Sequence, residues 1–236
     1  MAILEEVFIM EKIILVSGLE YPEAMETAIW YAQKGNKVYG CYTDRTHDPI
    51  ITRNVYAVGI NLLDKLQLKK FITQIEQESF KIDILVLCAK RKAEDDGAIG
   101  TGHIYQELLN VLDYNINGTW AMVEAALPLL RKSELKRIAF LTSTCASINW
   151  TDSTGDFAYH MSLSALHMME KLYFNQLRPE GFSFRCFCTD NMECGWLPGE
   201  YIEQDLYYDE RESAKNIHCD ENRLVMQDHH YREIPW

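Results

Sequence analysis

No stretch of the 236-residue sequence approaches the roughly 20 consecutive apolar residues that a membrane-spanning helix needs. The first residues show no basic segment followed by an apolar one, which is the pattern of a secretory signal. The seven cysteines are odd in number and scattered, as is typical of reduced thiols rather than of a disulfide framework. We therefore expect a cytoplasmic protein that does not associate with membranes.

Basic residues are scarce relative to acidic ones. The chain has 23 Lys and Arg against 35 Asp and Glu, and its formal net charge is −12. Nucleic-acid phosphates are bound mainly by Lys and Arg, so the composition argues against a nucleic-acid partner. With 47% hydrophobic residues, the chain can bury a sizeable core. The class that remains is a globular protein with a small-molecule ligand.

Metal-ligand patterns are also missing. Cys186 and Cys188 fall on one face of a strand-like segment, but no second Cys or His pair has ligand spacing. His229 and His230 have no evident third ligand, and their surroundings favour a turn. We expect these residues to be structural and expect no metal site.

Strand-like and helix-like segments alternate along most of the chain. The strand-like segments are 13–17, 37–42, 54–58, 82–88, 137–143 and 182–189, and the helix-like segments are 22–34, 63–79, 104–112, 117–132 and 157–177. Such alternation is typical of a parallel sheet with helices on both faces. We predict a three-layer, doubly wound, Rossmann-like α/β fold, whose ligands lie at the carboxyl ends of the strands.

The ends of the chain differ from this pattern. Residues 1–9 read as an N-terminal extension, 10–198 as the Rossmann-like domain, and 199–236 as an acidic tail. Residues 222–236 read as a β-hairpin that turns near 228–230. Because an isolated hairpin is marginally stable, we expect it to pack on the same domain or on a partner.

Four segments carry a family resemblance. They are an apolar strand at 83–86 that begins with Asp, a helical segment at 114–130 with Asn near its start, a strand at 137–143 that ends in Ser, and a helix at 157–166 with Tyr near its start. In this order they resemble the short-chain dehydrogenase/reductase family over roughly residues 10–191. The resemblance implies an NAD- or NADP-dependent oxidoreductase.

The resemblance assigns catalytic roles to four positions. It implies that Tyr159 transfers the hydroxyl proton, that Ser143 holds the substrate oxygen, and that Asn115 orders a relay water. The family has Lys four residues after the Tyr, whereas this chain has Leu163. A nearby cation lowers the pKa of a Tyr from its ordinary value near 10, so its loss predicts a weakened general acid.

The cofactor side departs from the family pattern as well. Of the three glycines that let backbone amides approach the pyrophosphate, Gly18 is present, while Pro22 and Ala24 take the other two places. Proline has no N–H to donate to a phosphate. Acidic side chains also crowd this helix start, at Glu20 and Glu23, where a phosphate would need positive charge.

Other positions remain candidates for cofactor binding. By the resemblance, Asp44 or Tyr42 at the end of the second strand could meet the adenine ribose, and Asn61 stands where an Asp often meets adenine. Ala89 and Lys90 follow the fourth strand, where the family has an Asn-Asn-Ala-Gly motif. The basic run that Lys90 begins could aid phosphate binding, so NAD or NADP is possible but doubtful.

The helix that carries Tyr159 indicates an oligomer. Its outer face is rich in Met and Leu, more apolar than solvent requires. In the family, this helix and the one through Trp120 pair with their counterparts in a second subunit. We expect a homodimer or homotetramer, which could include a related active subunit.

Three functions stay open. The first is a divergent family member without standard catalysis, acting as a pseudoenzyme or non-catalytic subunit, and the combined changes at 22, 24, 87–90 and 163 favour it. The second is an active oxidoreductase on a small carbonyl or alcohol substrate that uses Tyr159 and Ser143. The third is a non-redox small-molecule binder or lyase in the same cleft.

Overall fold

The computed structural model describes residues 11–43, 50–51, 54–95, 97–98, 100, 102–103, 105–190, 198–204 and 223–236. The predicted extension at 1–9, the candidate Asp44 and most of the acidic tail lie outside these ranges. None of the described helices is both long and apolar enough to cross a membrane.

The strands form one large sheet and one small ribbon. Their bounds are β1 Ile13–Ser17, β2 Lys37–Tyr42, β3 Ile50–Ile51, β4 Val55–Gly59, β5 Ile84–Cys88, β6 Gly97–Ala98, β7 Gly102–His103, β8 Arg137–Thr142, β9 Ser183–Cys188, β10 Met226–Gln227 and β11 Glu233–Ile234. In the described part of the chain, the large sheet has the order β11-β10-β9-β8-β5-β1-β2-β4-β3. Its pairs are parallel except at the two edges, where β3 and β11 run antiparallel. β6 and β7 pair separately.

The helices cover both faces of the sheet. They are α1 Pro22–Gln33, α2 Lys65–Ser79, α3 Tyr105–Leu112, α4 Thr119–Leu130, α5 Phe157–Leu177 and α6 Pro198–Glu203. Residues of α2, α4 and α5 share one apolar core, and residues of α1 and α6 share the other. Because β1 and β5 are buried on both sides, they read as continuous apolar runs. The predicted three-layer fold is confirmed.

The C-terminal hairpin extends the sheet. β10 pairs in parallel with β9, and β11 returns beside β10. The turn between them contains His229 and His230, and Asp228 holds it by accepting hydrogen bonds from the backbone N–H groups of His230 and Arg232 at 2.8 and 2.9 Å. The predicted hairpin is therefore confirmed, and it packs on the Rossmann-like body.

A buried acid lies between α5 and the sheet. Glu170 is fully buried, and neither of its carboxyl oxygens has a hydrogen-bond partner of good geometry among the described residues. Burial raises the pKa of this carboxyl well above its ordinary value of 4.5, and the thiol of Cys186, a weak donor, opposes the rise. Burial therefore favours the neutral form of Glu170 in the folded protein.

This acid makes stability depend on pH. Below pH 4.5 the carboxyl is protonated in both states; above it, the unfolded chain ionises while the folded chain holds its proton, so stability falls as pH rises. Glu170→Met should remove this part of the slope, at about 1.4 kcal/mol for each unit by which the pKa is raised. Urea unfolding from pH 5 to pH 8 checks this, with Glu170→Gln as the isosteric neutral control. Parallel pH profiles for wild type and both variants would contradict the assignment.

Candidate active site

Several candidate residues meet at the carboxyl edge of the sheet. Gly18 follows β1, Ala89 and Lys90 follow β5, and Ser143 follows β8. In an open parallel sheet this edge forms the ligand crevice. The topology therefore brings side chains that are distant in sequence into one cleft.

The predicted catalytic Tyr and Ser are neighbours. Tyr159 lies in the first turn of α5 and is only 5% exposed, and the Ser143 side chain is near enough to lower the pKa of its phenol. Ser143 caps a short 3-10 turn, and its Oγ accepts a hydrogen bond from the N–H of Cys145 at 3.1 Å. The two side chains have the proximity that the family resemblance implies.

Asp190 joins this pair and was missed as a site residue in the sequence analysis. Its Oδ2 accepts hydrogen bonds from Ser143 Oγ at 2.6 Å, from Thr144 N at 2.6 Å and from Thr144 Oγ1 at 2.9 Å. The Ser143 hydroxyl therefore donates its hydrogen bond to a carboxylate of the protein itself, and not to a substrate. An acid placed directly after a buried strand, at the ligand edge, is the signal that could have identified it.

The Tyr159 hydroxyl is held in its protonated form. Burial raises its pKa well above the ordinary value of 10, the nearby Ser143 side chain opposes the rise, and the negative charge of Asp190 adds to it. One turn further along α5, Leu163 is fully buried and supplies no charge. The phenol is thus poorly suited to give up its proton near neutral pH.

A cation does lie near Tyr159, but over its ring. Lys92 Nζ is 4.9 Å from the ring centroid and pairs with Asp156 at 3.0 Å. Both members of that ion pair are more than half exposed. The position of Lys92 differs from the sequence interpretation, in which it followed Lys90 in a run that could bind phosphate.

Asn115 acts as a brace in this structure. It is buried in a π-helical segment, Asp113–Gly118, between α3 and α4. Its Oδ1 accepts from the N–H of Arg91 at 2.9 Å, and its Nδ2 donates to the carbonyl of Arg91 at 3.0 Å and to Ser162 Oγ at 2.8 Å. Both amide protons are used, so none is left to order a water through that group.

The Gly18 turn is tight and its amides are occupied. Gly18 has φ of +89°, and a Cβ there would lie 2.0 Å from the carbonyl oxygen of Cys88, so only Gly fits. The N–H groups of Gly18 and Leu19 both donate to the carbonyl of Cys41, at 3.0 and 3.1 Å. The N–H of Tyr21 donates to the carbonyl of Gly18 at 3.0 Å. These donors are therefore not available to a phosphate.

A buried ion pair lies beside this turn. Glu23, in the first turn of α1, pairs with Lys90, and each side chain is 11% exposed. Lys90 Nζ donates to Thr189 Oγ1 at 2.6 Å, and that hydroxyl donates to Glu23 Oε1 at 3.0 Å. Burial alone would lower the pKa of Lys90 and raise that of Glu23. Cys88 and Glu23 raise the pKa of Lys90, and Lys90 lowers that of Glu23, so both pKa values shift the other way. Both groups are charged at neutral pH.

A second acid occupies the end of β2. Glu20 accepts hydrogen bonds from the N–H of Thr43 at 3.1 Å and from the hydroxyls of Thr43 and Tyr114. Asp44, the predicted ribose contact, lies outside the described residues. Glu20 thus reaches the strand end where the resemblance places the adenine ribose.

An open cavity of about 420 Å³ adjoins Glu20. Its walls include Asn61, Leu62, Arg91 and Tyr114, and Arg91 lies over the Tyr114 ring at 5.3 Å. The volume falls in the range of small-molecule pockets. Asn61 thus lines this cavity, and its contact with adenine stays a prediction, while buried Ala89 connects β5 to Lys90.

The family's cofactor fits this cleft at one end only. The cavity beside Asn61 and Arg91 can accept an adenine-sized group. At the pyrophosphate position, Pro22 has no N–H, the amides of the Gly18 turn are used internally, and the Glu23 carboxylate is a negative neighbour. The residues present do not fit a dinucleotide. Within the described ranges, no three His, Cys, Asp or Glu side chains are arranged to hold a metal ion.

Comparisons with known proteins identify relatives of this chain. A family model described as enoyl-(acyl carrier protein) reductase matches residues 24–189. C-signal of Myxococcus xanthus is 36% identical over 93 residues, which are 39% of this chain and 53% of that protein. The chain thus spans about half the length of this curated relative.

Solved structures agree in fold. Sniffer of Caenorhabditis elegans, described as a carbonyl reductase, aligns with a TM-score of 0.73 and 15% identity over 96% of this chain and 100% of that one. The NADP complex of RhlG from Pseudomonas aeruginosa aligns with a TM-score of 0.63 and 19% identity, over 75% and 71% of the two chains. At these identities the likeness concerns the fold alone.

The family match covers more than half of the chain. It includes Ser143, Tyr159 and Asn115, and it begins at residue 24, beyond the Gly18 turn. The sheet order, the Tyr–Ser proximity and this match agree. The chain belongs to the short-chain dehydrogenase/reductase family.

Proposed function

We propose that this family member does not carry out standard NAD(P)-dependent catalysis and acts as a pseudoenzyme or non-catalytic subunit. The observation that carries the proposal is the buried Glu23–Lys90 pair at the start of α1, bridged by Thr189. It fills, with the protein's own charges, the place where a dinucleotide would put its pyrophosphate.

The energetic cost to a dinucleotide is large. Each hydrogen bond to a charged group contributes about 1.5–3 kcal/mol. Losing two or three phosphate contacts therefore weakens binding by several orders of magnitude. A phosphate would also have to separate Lys90 from Glu23, which costs further free energy because both groups are buried.

Leu163 supports the same proposal on the catalytic side. General acid–base catalysis contributes roughly 10²- to 10⁴-fold, provided that the acid has a pKa near the working pH. Tyr159 has a raised pKa, and its partner Ser143 is bound to Asp190. Both cofactor binding and general acid catalysis by Tyr159 are therefore weakened.

Assembly and location belong to the same proposal. Trp120 on α4 and Met161 and Leu172 on α5 are each more than half exposed. Burying such a face against a second copy gives a homodimer, and against a related active chain it gives a heteromer in which this chain is the non-catalytic subunit. The cysteines that the structure describes are free thiols, which fits a reducing, cytoplasmic location.

A second candidate, an active oxidoreductase, draws support from one contact. Lys92 lies 4.9 Å from the Tyr159 ring centroid and brings a cation into the site. In that case Tyr159 and Ser143 would act on a small carbonyl or alcohol, with Lys92 replacing the lysine absent at position 163. The raised pKa of Tyr159 weighs against this candidate.

Cofactor titration tests the main proposal. Calorimetry of the purified chain with NADH and with NADPH should show no saturable binding up to about 100 µM. Glu23→Gln should strengthen NADPH binding at least about tenfold, because Lys90 then becomes available to a phosphate. Micromolar binding to the wild-type chain would overturn the proposal.

Stability measurements test the buried pair itself. Glu23→Gln and Lys90→Met should each destabilise the chain by about 3 kcal/mol, because each leaves a buried charge without its partner. The double variant should lose clearly less than the sum of the two. Lys92→Met, from the exposed pair with Asp156, is the matched control and should cost less than about 1 kcal/mol. Additive losses in denaturant unfolding would mean that Glu23 and Lys90 are not coupled.

Leu163→Lys separates the two candidates. If the site lacks only this cation, the variant should gain carbonyl reductase activity with NADPH of up to about 100-fold. The main proposal expects no gain, because the pyrophosphate position remains filled. Circular dichroism must first show that the variant is folded, since position 163 is fully buried. Activity in the variant would favour the second candidate.

A further inference from the structure

A second cavity lies outside the cleft, on the far side of α5. It measures about 510 Å³ and is bounded by α5, by the loop after β8 and by the C-terminal segment. Its apolar walls include Ile148, Met168, Leu224 and Trp236. Ile148 and Met168, at 77% and 61% exposed, form its rim, whereas Leu224 is buried. The volume is that of a small-molecule site.

The walls of this cavity are fixed by hydrogen bonds. Ser164 Oγ donates to the carbonyl of Ala146 at 2.9 Å, which ties α5 to the loop. Asn149 Nδ2 donates to the carbonyl of Trp236 at 2.7 Å, and Ser147 Oγ donates to the carbonyl of Pro235. These bonds hold the loop and the C-terminal segment in place, so the cavity is preformed.

One polar atom in the wall lacks a partner. His167 is 4% exposed; its Nε2 lies 2.7 Å from Thr142 Oγ1, and its ring meets the Trp236 ring edge-on at 5.1 Å. Its Nδ1 has no hydrogen-bond partner among the described residues and almost no accessible surface, so a ligand meets it only when the ring turns towards the cavity. Burial lowers the pKa of this imidazole to about 4, so the ring is neutral at neutral pH. A buried, unpaired nitrogen favours a ligand with a hydroxyl or carbonyl group.

The rim carries positive charge on a chain of net charge −12. Lys171 lines the cavity one turn beyond His167, and no carboxylate pairs with it among the described residues; its Nζ lies 4.6 Å from the Phe174 ring centroid. Arg223 also lines the cavity and pairs with Glu233 at 2.5 Å. The rim therefore has an excess cation beside an apolar cavity.

We propose that this cavity binds an aliphatic carboxylate with a hydroxyl group close to its head. The chain would lie between Met168 and Trp236, and the carboxylate would pair with Lys171. Residues at i and i+4 of a helix are about 5–6 Å apart at Cβ, so a hydroxyl two carbons from the carboxylate can reach His167. This inference does not depend on the state of the dinucleotide cleft.

Binding of dodecanoate, followed by calorimetry below its micelle concentration, tests the charge and the apolar walls. We expect saturable one-to-one binding that weakens about tenfold or more in Lys171→Met and in Met168→Glu. Lys69→Met, which removes an exposed lysine from α2, is the matched control and should bind as the wild type does. Dodecyltrimethylammonium, with the opposite head charge, should bind much more weakly.

The hydroxyl is tested with 3-hydroxydodecanoate. It should bind about three- to tenfold more tightly than dodecanoate, as expected for one added hydrogen bond. His167→Phe should abolish this preference and leave dodecanoate binding within about twofold. If His167→Phe loses its folded circular dichroism spectrum, its loss of binding says nothing about the hydroxyl contact. Lys171→Met then decides, because Lys171 is exposed and its substitution leaves the fold intact.

Three outcomes would overturn the proposal. The first is the absence of saturable dodecanoate binding up to 1 mM. A Kd weaker than this would correspond to a binding free energy of less than about 4 kcal/mol. The second is binding that the Lys171 and Met168 variants do not change, or that the cationic detergent matches. The third is a Met168→Glu variant that turns a dimer into a monomer in sedimentation without altering dodecanoate binding, which would assign this face to a second copy of the chain.

Discussion

The cleft of this protein is organised around the Glu23–Lys90 ion pair. Neither group could remain charged at 11% exposure without the other, because a lone buried charge is strongly penalised. Thr189 satisfies the pair further and ties it to the end of β9. Three strand ends, those of β1, β5 and β9, are thereby joined across the ligand edge. The pair stabilises this edge and, in the function we propose, also excludes a phosphate from it.

A second network continues from the same edge. Asp190 follows Thr189 and fixes Ser143, which in turn lies near Tyr159. The family's catalytic pair thus persists in position but is connected to a carboxylate. The Ser143 hydroxyl donates a hydrogen bond to Asp190, and the negative charge of Asp190 disfavours ionisation of Tyr159. Tyr159 and Ser143 thus lie near each other, as the resemblance implies, while the charges around them differ from the family pattern.

Much of the fold could be predicted from the sequence, because its signals are local. The buried strands β1 and β5 read as apolar runs, and Gly35 and Asp64 mark a helix end and a helix start through a positive φ and a side-chain cap. The C-terminal hairpin was also predictable, although its parallel pairing with β9 was not. That pairing depends on a contact between segments some 40 residues apart.

The site was less predictable, for physical reasons. The resemblance located Tyr159, Ser143 and the missing lysine at position 163. Sequence could not show that Lys90 would pair with Glu23 instead of a phosphate, since the two are 67 residues apart and meet only through the sheet order. Nor could it show that both amide protons of Asn115 would be donated within the protein, to the Arg91 carbonyl and to Ser162 Oγ. Such partners are set by tertiary packing.

The central claim is that the protein's own charges fill the pyrophosphate position. A crystal structure determined after soaking with millimolar NADPH tests it most directly. The account predicts density for an intact contact between Glu23 and Lys90, with no ordered nucleotide across the Gly18 turn. An ordered dinucleotide there, with Lys90 turned away from Glu23 towards its phosphates, would contradict the account.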